Sequence, residues 1–197
     1  MGSPAYVQNR EKTGETDRDL VVRALQGDHE AFESIVRSYQ RRVYAVTLRM
    51  TRQHQVADDI TQETFVRAYT QLHRFELGRP LAPWLTRIAI NLSINHLTGR
   101  VKREQPLEDD TPLDRLKTAD ESSPDPLKSL LSCEFAHALA RAVEKLPPEQ
   151  KAVFVLRVHE EMRYEEIADS LGISSGTVMS RLYRARSKLK EMLKDYL

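Results

Sequence analysis

The stretch Tyr164-Glu-Glu-Ile-Ala-Asp-Ser-Leu-Gly-Ile-Ser-Ser-Gly-Thr-Val-Met-Ser-Arg-Leu-Tyr183 narrows the fold further than any other part of the chain. Ala168 sits four residues before Gly172, and Ile167, Leu171, Ile173, Val178 and Leu182 are the apolar positions. The spacing predicts two short-turned helices: the small Ala lets them cross closely, and the Gly supplies the positive φ of the turn. The second helix runs on through Arg181, Arg184, Arg186, Lys188 and Lys190, so its exposed side is basic. A helix of that shape and charge fits a DNA major groove.

Upstream, the pattern is helical throughout. Thr16 or Asp17 suits an N-cap for a short helix over Leu20–Leu25 that stops at Gly27. Apolar residues from Phe32 to Leu48 predict a long helix from His29 to about Met50, and Ile60, Phe65, Val66, Tyr69 and Leu72 a second from about Val56 to Leu72. Gly78 and Pro80 break the chain before a third, which carries Trp84, Leu85, Ile88, Leu92, Ile94 and Leu97 towards Val101. Near Leu127 another helix begins and runs to about Lys145, and Pro148 opens one that reaches about Glu161. No period-two alternation appears, so the fold class is all-α.

The net charge of +1 conceals an uneven distribution. Residues 1–103 are net basic, residues 104–127 hold eight acidic side chains against two basic ones, and residues 128–197 are mildly basic again. The middle segment also holds Pro106, Pro112, Pro124 and Pro126, a composition that cannot bury enough surface to fold alone. The expected organisation is therefore a disordered tail over 1–16, a helical domain over 17–103, a flexible acidic linker over 104–127 and a second helical domain over 128–197. The single cysteine, Cys133, excludes an internal disulfide and lies in an apolar helical stretch that suits a buried structural thiol. No apolar run approaches a membrane span and no secretory signal opens the chain, so a soluble cytoplasmic protein without membrane insertion is expected.

Two clusters in the first domain carry chemistry. Asp58, Asp59, Gln62 and Glu63 share a neighbourhood at helical spacing, either as an acidic docking face for a basic partner or as charges serving a helix N-terminus. Between Phe75 and Arg103 an aromatic, a Pro-containing loop and Trp84 precede a helix ending in Arg100, Lys102 and Arg103. Aromatic surface beside cations suits capture of unstacked bases, although Trp84 read alone fits a core position equally. Asn91 and Asn95, four apart, either read base edges or occupy a solvated flank.

The run Ala57-Asp-Asp-Ile-Thr-Gln-Glu-Thr-Phe-Val-Arg-Ala-Tyr69, then Pro83-Trp-Leu-Thr-Arg-Ile-Ala-Ile-Asn-Leu92, then Leu146-Pro-Pro-Glu-Gln-Lys-Ala-Val-Phe154, then the helix-turn-helix together resemble an extracytoplasmic-function sigma factor, collinearly from about Asp19 to Leu193. The resemblance implies a transcription initiation subunit that binds bacterial core RNA polymerase, with a region 2 bundle and a region 4 helix-turn-helix. It places Asp58, Asp59, Gln62 and Glu63 on the polymerase-binding surface. It places Phe75, Arg79, Trp84, Arg87, Asn91, Asn95, Arg100, Lys102 and Arg103 where the melted minus-ten element is held. For the minus-thirty-five element it implies Ser174, Ser175, Gly176, Thr177, Met179, Ser180, Arg181, Arg184 and Arg186, with Arg184 foremost for a base contact and the Ser174–Gly176 amides for a phosphate. Met179 departs from the family pattern, which often has a basic residue there. An anti-sigma factor is the usual control in this family, and no cofactor or metal is implied.

An enzyme is the first rival, but the six histidines are dispersed and no Gly-rich phosphate loop, His-Glu-x-x-His or cysteine cluster is present. A stand-alone regulator needs a ligand pocket or phosphoacceptor in its first domain, where this chain has acidic and aromatic-basic strips instead. A sigma-sequestering protein would have no use for a basic reading helix.

Overall fold

The computed structural model describes residues 16–102 and 126–196. Among these there are eight α-helices and no strand: α1 (Asp17–Leu25), α2 (His29–Thr51), α3 (His54–Gln71), α4 (Leu81–Lys102), α5 (Pro126–Glu144), α6 (Pro148–Val158), α7 (Tyr164–Leu171) and α8 (Ser175–Met192). Short 3₁₀ turns follow α3 and α8. Arg103, residues 1–15 and nearly all of the predicted linker fall outside the described residues, as do the side chains of Arg100, Lys102 and Cys133.

Local chemistry sets the helix starts. Thr16 and Asp19 form a reciprocal capping box at α1, and Asp28 caps α2 through the amides of Glu30 and Ala31. Gly27 turns between them at φ +91°, a conformation glycine adopts without strain. Pro148 occupies the first turn of α6. That helix ends at Val158, earlier than the sequence pattern predicts, because Glu161 takes a left-handed φ of +54° that reverses the chain towards α7.

Helices α1–α4 form the first bundle. Val21, Ile35, Tyr39, Val43, Phe65, Leu81, Leu85 and Ala89 interlock at its centre. The buried hydroxyls between α2 and α3 are all satisfied: Thr61 donates to the Ala57 carbonyl at 2.6 Å and pairs with Thr47 at 3.0 Å. Helices α5–α8 form the second bundle, in which Ala142, Leu146, Phe154, Ala185, Leu189 and Leu193 pack together.

A third cluster belongs to both bundles. Val46 and Met50 of α2 and Ile90 of α4 are buried with Val155, Leu156, Met162, Ile167, Val178 and Leu182, and Ile94, Leu97, Tyr164 and Leu171 pack around them. The two bundles therefore share a continuous apolar core. Polar links ring it: Lys151 donates to the Met50 carbonyl at 2.7 Å, Arg42 pairs with Glu160 at 2.7 Å, and Arg52 pairs with Glu144. No described helix is long and apolar enough to cross a membrane.

Candidate nucleic-acid interface

The cleft of the first bundle is made by the turn that returns α4 onto α3. Leu72 and Leu81, both buried, anchor the two ends of that turn, and Gly78 takes φ +102° between them. Phe75 is turned inward and meets Trp84 edge-on at 5.2 Å between ring centroids. Trp84 is thereby braced from behind, at the rim of the core. Beside it opens a cleft of about 380 Å³ lined by Arg67, Gln71, Arg74, Trp84, Arg87, Ile88 and Asn91. Sites that hold small ligands run from roughly 300 to 1,000 Å³. Three guanidiniums for phosphate, an indole face for stacking and two amides with both donors and acceptors converge here.

Of the nine residues predicted for this site, the cleft unites Trp84, Arg87 and Asn91. Asn95 is exposed one turn further along α4, Phe75 braces from within, and Arg79 pairs with Glu76 in the loop. Sequence reasoning missed Arg67, Gln71 and Arg74. Their spacing of four and then three residues marks one helical face and was available as a signal.

The acidic group lies on the same helix as these missed residues. Asp58, Asp59, Gln62 and Glu63 are all exposed on α3. Because α3 begins at His54, the first turn holds no acidic residue and both aspartates fall in the second, where the pull of the helix dipole has faded. The capping role left open by the sequence is thus disfavoured. Glu63 pairs with Arg67 at 2.6 Å, so the acidic stretch passes directly into the basic cleft. Tyr44, hydrogen-bonded to His54 at 2.5 Å, borders it; burial pushes the Tyr44 phenol up, and the nearby Asp58 adds to this.

In the second bundle the predicted turn forms as expected, with Gly172 at φ +65° and Ala168 buried against α8. Ser174 caps α8 by accepting from the Thr177 amide at 3.2 Å, its hydroxyl also pairs with that of Thr177, and Ser180 donates to the Thr177 carbonyl. Three predicted contact residues thus already serve the helix. A Cβ at Gly176 would meet only the Ser174 hydroxyl, at 3.8 Å, so packing does not demand a glycine there.

Val178, Leu182, Ala185 and Leu189 bury one face of α8, and Gly176, Met179, Tyr183, Arg184 and Arg186 are exposed. Tyr183 is the most exposed large apolar residue described, at 73%, and sequence reasoning left it out. Its place one turn beyond Met179 could have revealed it. Arg181 does not join this face. Its side chain is 22% exposed and pairs with Glu149 of α6 at 2.7 Å.

Comparison with known proteins fits both halves. The family model for sigma-70 region 2 matches residues 35–103, and that for sigma-70 region 4 matches residues 136–189. The RNA polymerase sigma-H factor of Pseudomonas aeruginosa is 34% identical over 189 residues, covering 94% of this chain and 97% of that protein. The ECF RNA polymerase sigma factor SigW of Bacillus subtilis is 32% identical over 185 residues, covering 89% and 95%. Among solved structures, CnrH in complex with the cytosolic domain of CnrY aligns with a TM-score of 0.64 at 26% identity, over 92% of this chain and 99% of that one. The sigma factor RpoE of Bartonella quintana, solved with the anti-sigma factor NepR, shares the fold at a TM-score of 0.63 and 24% identity, over 83% and 96%.

Proposed function

The chain belongs to the extracytoplasmic-function sigma factors, and from that premise we propose how its surfaces divide the work of starting transcription. Residues 17–103 dock on core RNA polymerase and hold the melted minus-ten element. Residues 128–197 read the minus-thirty-five element as duplex. Asp58, Asp59, Gln62 and Glu63 form the docking face, complementary to a basic surface on polymerase.

The cleft beside Trp84 takes a base of the non-template strand. Unstacking costs a few kcal/mol, offset by stacking on the indole and by charge pairing of the phosphates with Arg67, Arg74 and Arg87. Asn91 and Gln71 supply amides for the base edge. On α8, Arg184 pairs with a base edge, and Met179 and Tyr183 offer apolar contact to thymine methyl groups. Gly176 leaves the helix start open to a phosphate. Arg181, held by Glu149, supports the helix instead of reading DNA. The acidic linker joins the two contacts, so the first made raises the effective concentration of the second.

The chain acts as a binding subunit of polymerase and not as a catalyst, in the cytoplasm where polymerase and DNA meet. CnrH, a structural relative, is held by the cytosolic part of another protein. A protein inhibitor of that kind is the proposed control here.

The observation carrying this reading is the collinear match of the two bundles to the sigma-70 region 2 and region 4 models, supported by a cleft that joins cations to Trp84 in the first and an exposed basic helix face in the second. Transcription with purified core polymerase on a promoter library tests it. New start sites are expected only with this chain, and Asp58→Lys/Asp59→Lys is expected to abolish them while leaving the helical content unchanged. Identical transcripts from core alone would refute the reading.

A further inference from the structure

The cleft beside Trp84 carries more positive charge than one base of a strand requires. Arg67, Arg74 and Arg87 line it with three guanidiniums, against a single indole. A DNA strand brings one phosphate charge for each base. Arg67 pairs with Glu63 at 2.6 Å, but both side chains of that pair are nearly half exposed, so solvent weakens it. Among the described residues Arg74 and Arg87 pair with no carboxylate, and both are exposed. One base joined to a chain of phosphates matches that ratio of cations to stacking faces. A strand matches it only by drawing in flanking phosphates.

The stacking platform is in place before any ligand arrives. Phe75 meets the Trp84 ring edge-on at 5.2 Å, with 60° between the planes, so the indole is fixed from the core side. Ile88 adds apolar surface to the same wall. Gln71 and Asn91 have exposed side chains, and each amide offers both a donor and an acceptor to the edge of any base. The volume of about 380 Å³ lies near the lower end of the roughly 300–1,000 Å³ that small-ligand sites span. That is room for a single nucleotide and not for a stack of bases.

We propose that this cleft binds a free nucleoside 5′-triphosphate, with its base on Trp84 and its phosphate tail on Arg67, Arg74 and Arg87. The nucleotide takes the place assigned to the extruded base, so it competes with the melted strand. That competition rests on the function proposed above, whereas the binding rests on the cleft alone. Stacking tolerates every base, so the site answers to the nucleotide pool as a whole and not to one member of it. Occupancy by nucleotide sets a threshold that a promoter strand must exceed.

Trp84 is the one tryptophan of the chain, so its fluorescence reports on the cleft without a label. The full chain is titrated with ATP, adenosine and inorganic tripolyphosphate, excited at the red edge where adenine is transparent. ATP is expected to quench the emission saturably at submillimolar concentration. Adenosine and tripolyphosphate are each expected to bind roughly tenfold more weakly, because each lacks either the cation contacts or the stacked base. Arg74→Ala/Arg87→Ala is expected to weaken ATP by a similar factor with helical content unchanged. Quenching that does not saturate, or tripolyphosphate that binds as tightly as ATP, would overturn the nucleotide site. A labelled single-stranded DNA of mixed sequence then separates the two readings. The share of its binding lost in Trp84→Ala is the share that saturating ATP is expected to displace from the wild type. Failure to displace that share would overturn the competition. A strand that shows no such share, on a chain that binds ATP, would instead strike the function proposed for the cleft and leave the nucleotide site standing.

Discussion

The two bundles hold charge and aromatic surface in opposite shapes. In the first, Arg67, Arg74 and Arg87 converge around one braced Trp inside a concave cleft. In the second, Arg184 and Arg186 stand with Tyr183 on a convex helix 18 residues long. Concavity suits an object that has left its stack, because a flipped base needs walls on several sides. A convex helix suits an intact groove, which supplies the walls itself. On the proposed reading, similar residue types serve different forms of DNA because their backbones curve differently, and the two bundles should fail separately when mutated.

The largest expected effect is at Trp84. Trp84→Ala removes the stacking face, and base–aromatic stacking is worth about 1–3 kcal/mol, roughly a five- to 150-fold loss of promoter opening. Duplex binding through α8 is expected to stay unchanged, and circular dichroism will show whether the half-buried site still folds. Next comes Arg184→Ala, with about 1–3 kcal/mol lost at one base pair of the upstream element and preference relaxed only there. Binding titrations on templates changed one pair at a time will read this.

The pH response sharpens the comparison at the seam. Burial pulls Lys151 down to about 8 from 10.5, with the facing Glu144 carboxylate opposing and Arg52 adding to the shift. Between those values the native protein binds fewer protons than the unfolded one, so the contribution of this lysine to stability grows as pH rises through the window, by at most about 1.4 kcal/mol per pH unit. Below about 8 the lysine is charged in both forms and contributes no slope. The denaturant midpoint measured from pH 7 to 10 should carry this rising contribution, and Lys151→Met should flatten it. The smallest effect is at Glu149. Glu149→Gln frees Arg181 for one more phosphate, raising duplex affinity a few-fold and steepening the salt dependence by about one unit.

How far the sequence reaches follows from the same contrast. Apolar periodicity located every helix of both bundles, and Gly172 and Pro148 located their turns, because these signals are local. The cleft was half legible: Trp84, Arg87 and Asn91 lie along one helix, whereas Arg67, Gln71 and Arg74 join them only once α4 returns onto α3. Helical spacing takes in Val46 but did not single out Met50 or Ile90, and it says nothing of which partner covers them, so the core shared by the two bundles stayed hidden. Lys151 reads as a surface charge by its type, and only the α2 carbonyl above it accounts for its burial. Arg181 lies on the charged side of a basic helix, and nothing in its spacing announces Glu149, 32 positions earlier.

The most direct measurement compares Trp84→Ala and Arg184→Ala in complex with core polymerase on two templates, one fully duplex and one pre-melted across the minus-ten element. Permanganate reactivity of the melted thymines reports opening. Trp84→Ala is expected to lose opening on the duplex and to hold the pre-melted strand poorly, while Arg184→Ala is rescued by pre-melting. Equal losses for both variants on both templates would contradict the division of the two bundles into a reader of unstacked bases and a reader of duplex.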